Sequence, residues 1–229
     1  MKNLAANAEI LRDAQNDVVD IMTLVKICGI TNVDDALAAV NAGAGFLGFV
    51  FAESPRRVEP STVRHIQRIL AGNVKTVGVF TEESDEVLRI MDECGLSYAQ
   101  LHGGQSEEFA ARIGEQRVIR AVRVKGERSI AGLELFPNAA FYLLDTFREG
   151  VAGGTGKTFD WELAVHAKSF GKPLILSGGL NPGNVSEAIR EARPFAVDTA
   201  SGVEASPGIK DHDKIKEFIA NVREADADA

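Results

Sequence analysis

Short apolar segments return along the chain, each ending in a polar or glycine-rich tip. They fall at residues 24–28, 46–50, 76–80, 98–101, 118–122, 141–145, 174–177 and 195–198. Most are apolar almost throughout, the pattern of parallel strands covered on both faces. Between them the spacing turns helical. Asn32 precedes a run with Asp34 and Asp35 in its first turn, where exposed amides favour acids, and Asn41-Ala42-Gly43 ends it. Pro60-Ser61 opens a second helix, with Ile66, Ile69 and Leu70 expected on its inner face. Ser84 opens a third, Ser106 a fourth and Asn184 a later one. Residues 213–222 form the last, with Ile215, Phe218, Ile219 and Val222 on one stripe.

Eight strand–helix units within 229 residues leave no room for a second domain. An open doubly wound sheet is the competitor. It usually needs fewer strands and often carries GxGxxG in its first turn, where this chain has Cys28-Gly29-Ile30-Thr31-Asn32. The pattern therefore predicts a single α/β domain, a (β/α)8 TIM barrel, over residues 22–229. Residues 1–21 lack strand signals and read as a leading extension, or as sequence ahead of a true start at Met22. Residues 221–229 end in Asp-Ala repeats and read as a frayed helix end.

A closed barrel changes the meaning of the strand tips, because the residues just past each strand face one mouth. Cys28 ends the first segment and Asp145 the sixth, so a thiol and a carboxylate far apart in sequence are expected to share a cavity. Cys28 is either a reactive thiol or a small apolar filler. Asp145 follows four apolar residues, where a carboxylate is costly unless solvated, hydrogen-bonded or functional. Asp198 holds the matching place on the last strand and either transfers protons or orients neighbours. His102, at the fourth tip, lines the cavity or supports Cys28. Of Arg56 and Arg57, one is placed to clamp a substrate carboxylate. Cys94 reads as structural.

Two late tips, Ser177-Gly178-Gly179-Leu180 and Asp198-Thr199-Ala200-Ser201-Gly202, let backbone amides approach an oxyanion closely. Gly178, Gly179, Ser201 and Gly202 are thus candidate phosphate ligands on the closing strands, a frequent arrangement in this fold. Gly154 and Gly156, in Gly153-Gly154-Thr155-Gly156-Lys157, join them from a loop suited to closing over a substrate. That loop is not a Walker A sequence, which has a different spacing.

Composition narrows the partners. A net charge of -8 argues against a nucleic-acid binder but leaves room for an anionic substrate in a locally positive pocket. Two cysteines and four scattered histidines make neither a disulfide scaffold nor a zinc pattern, so no metal is expected. No apolar stretch is long enough to span a membrane, and a cytoplasmic location is expected, where a free thiol stays usable.

The tips together resemble the phosphoribosylanthranilate isomerase family of tryptophan biosynthesis. The matching pieces are Lys26-Ile27-Cys28-Gly29-Ile30-Thr31, Ser54-Pro55-Arg56, Gln100-Leu101-His102-Gly103, Leu144-Asp145, Gly153-Gly154-Thr155-Gly156, Phe159-Asp160-Trp161, Ser177-Gly178-Gly179-Leu180 and Ser201-Gly202-Val203-Glu204. The resemblance implies a barrel of the ribulose-phosphate-binding type, no cofactor, and a monomer or homodimer. It implies an Amadori rearrangement of N-(5-phosphoribosyl)anthranilate, with Asp145 as general acid, Cys28 as general base and Arg56 on the anthranilate carboxylate. Thr199 and Ala200 depart from the Val-Ser often found before the serine. One rival is the histidine-pathway aminoaldose phosphate isomerase, whose relatives carry an aspartate where this chain has Cys28. The other is a non-catalytic phosphate-binding barrel, which has no need of an acid and a base in one mouth.

Overall fold

A computed structural model describes residues 22–72, 74–145 and 161–228. Eight parallel strands close into a barrel in sequence order: β1 (Leu24–Cys28), β2 (Phe46–Val50), β3 (Lys75–Phe80), β4 (Tyr98–Leu101), β5 (Val118–Arg123), β6 (Phe141–Asp145), β7 (Leu174–Ser177) and β8 (Ala196–Thr199). The apolar segments thus lie within about a residue of the observed strands. The outer layer comprises α1 (Val33–Ala42), α2 (Pro60–Leu70), α3 (Asp85–Glu93), α4 (Glu107–Ile113), α5 (Glu127–Ile130), α6 (Trp161–Lys168), α7 (Val185–Ala192) and α8 (His212–Ala227). A small antiparallel hairpin, β9 (Glu204–Ser206) and β10 (Ile209–Lys210), follows β8. No described helix is long and apolar enough to cross a membrane.

Strand alternation divides the core in two. Val25 and Ile27 join the layer between barrel and helices, whereas Leu24 points inward with Phe46, Val77, Ile119, Phe141, Leu143, Ile175 and Ala196. The lower interior is aromatic. Phe141 meets Phe46 edge-on at 6.0 Å and Tyr98 at 5.3 Å, and stacks on Phe195 at 5.3 Å. Burying a ring as fully as Phe46 or Phe141 is worth about 1.5–3 kcal/mol in transfer terms. The barrel is therefore plugged from below, and its polar residues collect above.

The helix signals hold with two corrections. The Asn32 carboxamide oxygen accepts from the Asp35 amide, and the Ser106 hydroxyl accepts from the Phe109 amide, each capping its helix. On α2, however, Val63, Ile66 and Leu70 are buried while Ile69 is exposed. One residue is 100° of helical rotation, enough to carry Ile69 off that stripe. The last helix also runs on to Ala227 rather than fraying after 221. Ala225 is buried, and Asp226 accepts from both the amide and the hydroxyl of Thr23, at 2.8 and 2.6 Å.

Candidate active site

Cys28 and Asp145 are the last residues of β1 and β6. In a parallel barrel these ends share one rim. Cys28 follows Leu24 and Lys26 on the inward phase of β1, and Asp145 follows Phe141 and Leu143 on that of β6. The expected convergence of thiol and carboxylate on one mouth is what the topology produces.

Lys26 escaped attention in the sequence because it sits inside an apolar run. It is fully buried, one turn of the pleat below Cys28. Its ammonium donates to Asp198 Oδ1 at 2.8 Å, across the seam where β8 closes onto β1. The Ser177 hydroxyl donates to the other oxygen of Asp198 at 2.9 Å. Burial by itself lowers the Lys26 pKa, but pairing with the Asp198 carboxylate more than reverses this and holds it at about 12. Ser177 is the register partner of Asp145. Polar residues therefore line the inner wall from Asp145 past Ser177, Asp198 and Lys26 to Cys28. The sequence signal for Lys26 was its inward phase between Leu24 and Cys28.

Arg56 reaches the mouth from the loop after β2. Its side chain crosses Gly29, where a Cβ would lie 2.6 Å from Arg56 Cδ; Gly29 also has a φ of +73°, so this position demands glycine twice over. Arg56 Nε and Nη2 donate to the two oxygens of Glu204 at 2.7 and 2.6 Å. Hydrogen bonding to Glu204 raises the Arg56 pKa further. Lys210 Nζ donates to Glu204 Oε1 at 3.0 Å and to the Ala200 carbonyl at 3.0 Å. Burial works against the Glu204 carboxylate, yet Arg56 and Lys210 hold its pKa below the usual range. Glu204 and Lys210 lie on the β9–β10 hairpin, which the strand pattern did not reveal because it is too short to show alternation. Arg57, by contrast, is exposed and lies 3.7 Å from Glu59.

Across the mouth, His102 Nε2 stands 3.4 Å from Asp145 Oδ2, and exposed Arg123 Nε stands 3.8 Å from the same oxygen. His102 Nδ1 lies 3.5 Å from the Gln100 carboxamide nitrogen. His102 therefore faces Asp145, on the far wall from β1.

The late glycine-rich tips are joined. Thr199 Oγ1 donates to the Leu180 carbonyl at 2.7 Å, giving its side chain a structural task. Gly202 sits under the same carbonyl, where a Cβ would be 1.9 Å from the Leu180 oxygen. Gly178 and Gly179 take φ of +99° and +75°, and Ser201–Val203 form a single 3-10 turn. Gly154 and Gly156 lie outside the described residues. Cys94 is buried, its thiol 3.6 Å from the Pro60 carbonyl, and burial pushes its pKa up. Among the described residues no three His, Cys, Asp or Glu side chains are placed to hold a metal.

Comparison with known proteins gives this barrel a family. The family model described as N-(5'phosphoribosyl)anthranilate (PRA) isomerase matches residues 25–221. The N-(5'-phosphoribosyl)anthranilate isomerase of Geobacter sp. strain M21 is 48% identical over 204 residues, covering 88% of this chain and 98% of that protein. The crystal structure of phosphoribosyl anthranilate isomerase from Thermotoga maritima superposes with a TM-score of 0.81 at 46% identity, over 89% of this chain and all (100%) of that one. Another solved isomerase, in complex with reduced 1-(o-carboxyphenylamino)-1-deoxyribulose 5-phosphate, gives 0.79 at 44% identity, over 89% of this chain and 100% of its own. A barrel with this span of agreement, in sequence and in backbone, belongs to the phosphoribosylanthranilate isomerase family.

Proposed function

We propose that this chain converts N-(5-phosphoribosyl)anthranilate to 1-(2-carboxyphenylamino)-1-deoxyribulose 5-phosphate, with Asp145 as general acid and Cys28 as general base. The observation that carries the assignment of roles is the shared rim: a carboxyl and a thiol, from β6 and β1, open into one mouth beside paired cations. In this scheme Asp145 gives a proton to the furanose ring oxygen as the bond from that oxygen to the anomeric carbon breaks. The anthranilate nitrogen supplies the electron pair, leaving a protonated Schiff base. That cation acidifies the neighbouring C2 hydrogen, which the Cys28 thiolate removes. The resulting enolamine tautomerises to the ketone. No atom is lost and none added, as an isomerisation requires.

The ends of the substrate suit the two sides of the mouth. Glu204 occupies one edge of the Arg56 guanidinium through Nε and Nη2. The terminal edge, formed by Nη1 and the second hydrogen of Nη2, has the geometry to receive the anthranilate carboxylate in a forked pair. The phosphate is assigned to the amides around Gly178, Gly179, Ser201 and Gly202, with Gly154 and Gly156 proposed to join from the loop before α6. Anchoring both ends holds the sugar carbons between acid and base.

The direct test follows substrate fluorescence during rearrangement, first with the unaltered protein and then with Cys28→Ser. The serine variant is expected to lose at least ~10²-fold in kcat, the low end of a general base's contribution, while folding and binding product. Near-normal turnover in that variant would remove Cys28 from the base role; no turnover in the unaltered protein would remove the reaction.

A further inference from the structure

Lys26 has no place in the proton transfers above, yet it is the most deeply buried cation beside the reacting thiol. An ammonium carries three donors, and Asp198 takes one of them. Cys28 stands beside it. Both groups press on inward-facing Gly48, where a Cβ would lie 2.8 Å from the Cys28 sulfur and 3.0 Å from Lys26 Nζ. Glycine at 48 is what lets the sulfur and the ammonium share that space. We infer that Lys26 is a positioning residue for the base: its buried charge stabilises the anionic form of the Cys28 sulfur and aims it into the mouth.

The charges around Cys28 favour this reading. Lys26 on β1, Arg56 in the loop after β2 and Lys210 on the hairpin are the cations beside it, with Asp198 of β8 paired to Lys26 and Glu204 of the hairpin paired to Arg56 and Lys210; His102, Asp145 and Arg123 stand on the far wall. On the near side three cations meet two carboxylates, Asp198 and Glu204. One positive charge is left over, and a thiolate at Cys28 balances it. Arg56 and Lys210 share one carboxylate, and Lys210 spends a further donor on the Ala200 carbonyl. Lys26 donates to Asp198 and is sealed from water, where a charge acts most strongly on its neighbour.

This role matters to turnover only if Cys28 is the base proposed above, but the effect on the sulfur is measurable without substrate. Iodoacetamide labelling of the Cys28 peptide, followed by mass spectrometry across pH in the free protein, reads thiolate directly and is separate from Cys94. Lys26→Met keeps the length of the side chain and removes its charge. It is expected to slow labelling near pH 7 by on the order of 10-fold or more, with the deficit closing at alkaline pH, because an opposite charge at this range is typically worth one or more pH units. Lys26→Met combined with Asp198→Asn guards against the cost of a buried unpaired carboxylate, and its labelling profile is expected to move the same way by a smaller amount. Unchanged profiles in both variants, or equal slowing at every pH, would overturn the inference. Failure of the unaltered protein to rearrange substrate would instead count against the isomerase reading and leave the labelling result standing.

Discussion

At the scale of single residues, the mouth is governed by buried charges that depend on one another. Glu204 is the clearest case, because one carboxylate receives Arg56 on both oxygens and Lys210 on one. Its carboxyl is held below the ordinary range by these cations against the opposing effect of burial. A depressed acid contributes stability that is complete above its unfolded value and disappears as pH falls through the folded one. Glu204→Gln is therefore expected to lower stability at pH 7 by about 3 kcal/mol, the usual loss when one partner of a buried pair is removed. Denaturant melts at descending pH should show the two proteins converging in the acid range, since the wild type loses this contribution there and the variant has none to lose. A gap that stays constant down to pH 3 would mean that Glu204 acts by packing and not by charge.

At the scale of elements, the strand tips matter more than the strands. The tips of β7 and β8 are locked by the Thr199 hydroxyl on the Leu180 carbonyl, and Gly202 packs beneath the same carbonyl with no room for a side chain. Gly202→Ala must push the 3-10 turn after β8 away from the β7 tip. Isothermal titration with inorganic phosphate is expected to show binding weakened by roughly tenfold or more, the loss of about one good hydrogen bond to an anion. Labelling of Cys28, on the other side of the barrel seam, should be unaffected. Normal phosphate affinity in the variant would place the anion elsewhere. The hairpin β9–β10 is the second element that decides the site, since it delivers Glu204 and Lys210 to the rim. It is tied to α1 through Asp35, which accepts from the Lys210 amide at 2.9 Å and lies 2.8 Å from the His212 ring.

At the scale of the molecule, closure of the barrel is the event that makes a site. Lys26 and Asp198 are 172 residues apart, and only the pairing of β1 with β8 makes them neighbours. The same seam is held from below by Thr23 on Asp226, which binds the start of β1 to the last helix. Every assigned site residue lies at or beyond Lys26, and the family match begins at residue 25. A chain starting at Met22 is therefore expected to keep the kcat and KM of the full chain in the rearrangement assay. A change in either constant would give residues 1–21 a part in the reaction.

The sequence by itself determined the strand count, the starts of the helices it read and the placing of thiol and carboxylate at barrel tips. These are set by local patterns: continuous apolar runs, first-turn acids, and polar residues at the ends of runs. It also carried the glycines at 178, 179 and 202, whose need is visible wherever backbone must turn tightly or come close. What it did not decide was which charge meets which. Lys26 was hidden inside an apolar run, Arg56 showed no sign of its tie to Glu204, and Ile69 fell one residue off the stripe that packs. Those outcomes depend on strands and loops distant in sequence meeting at defined heights, and the energy of a buried ion pair exists only once closure has removed the water between its partners.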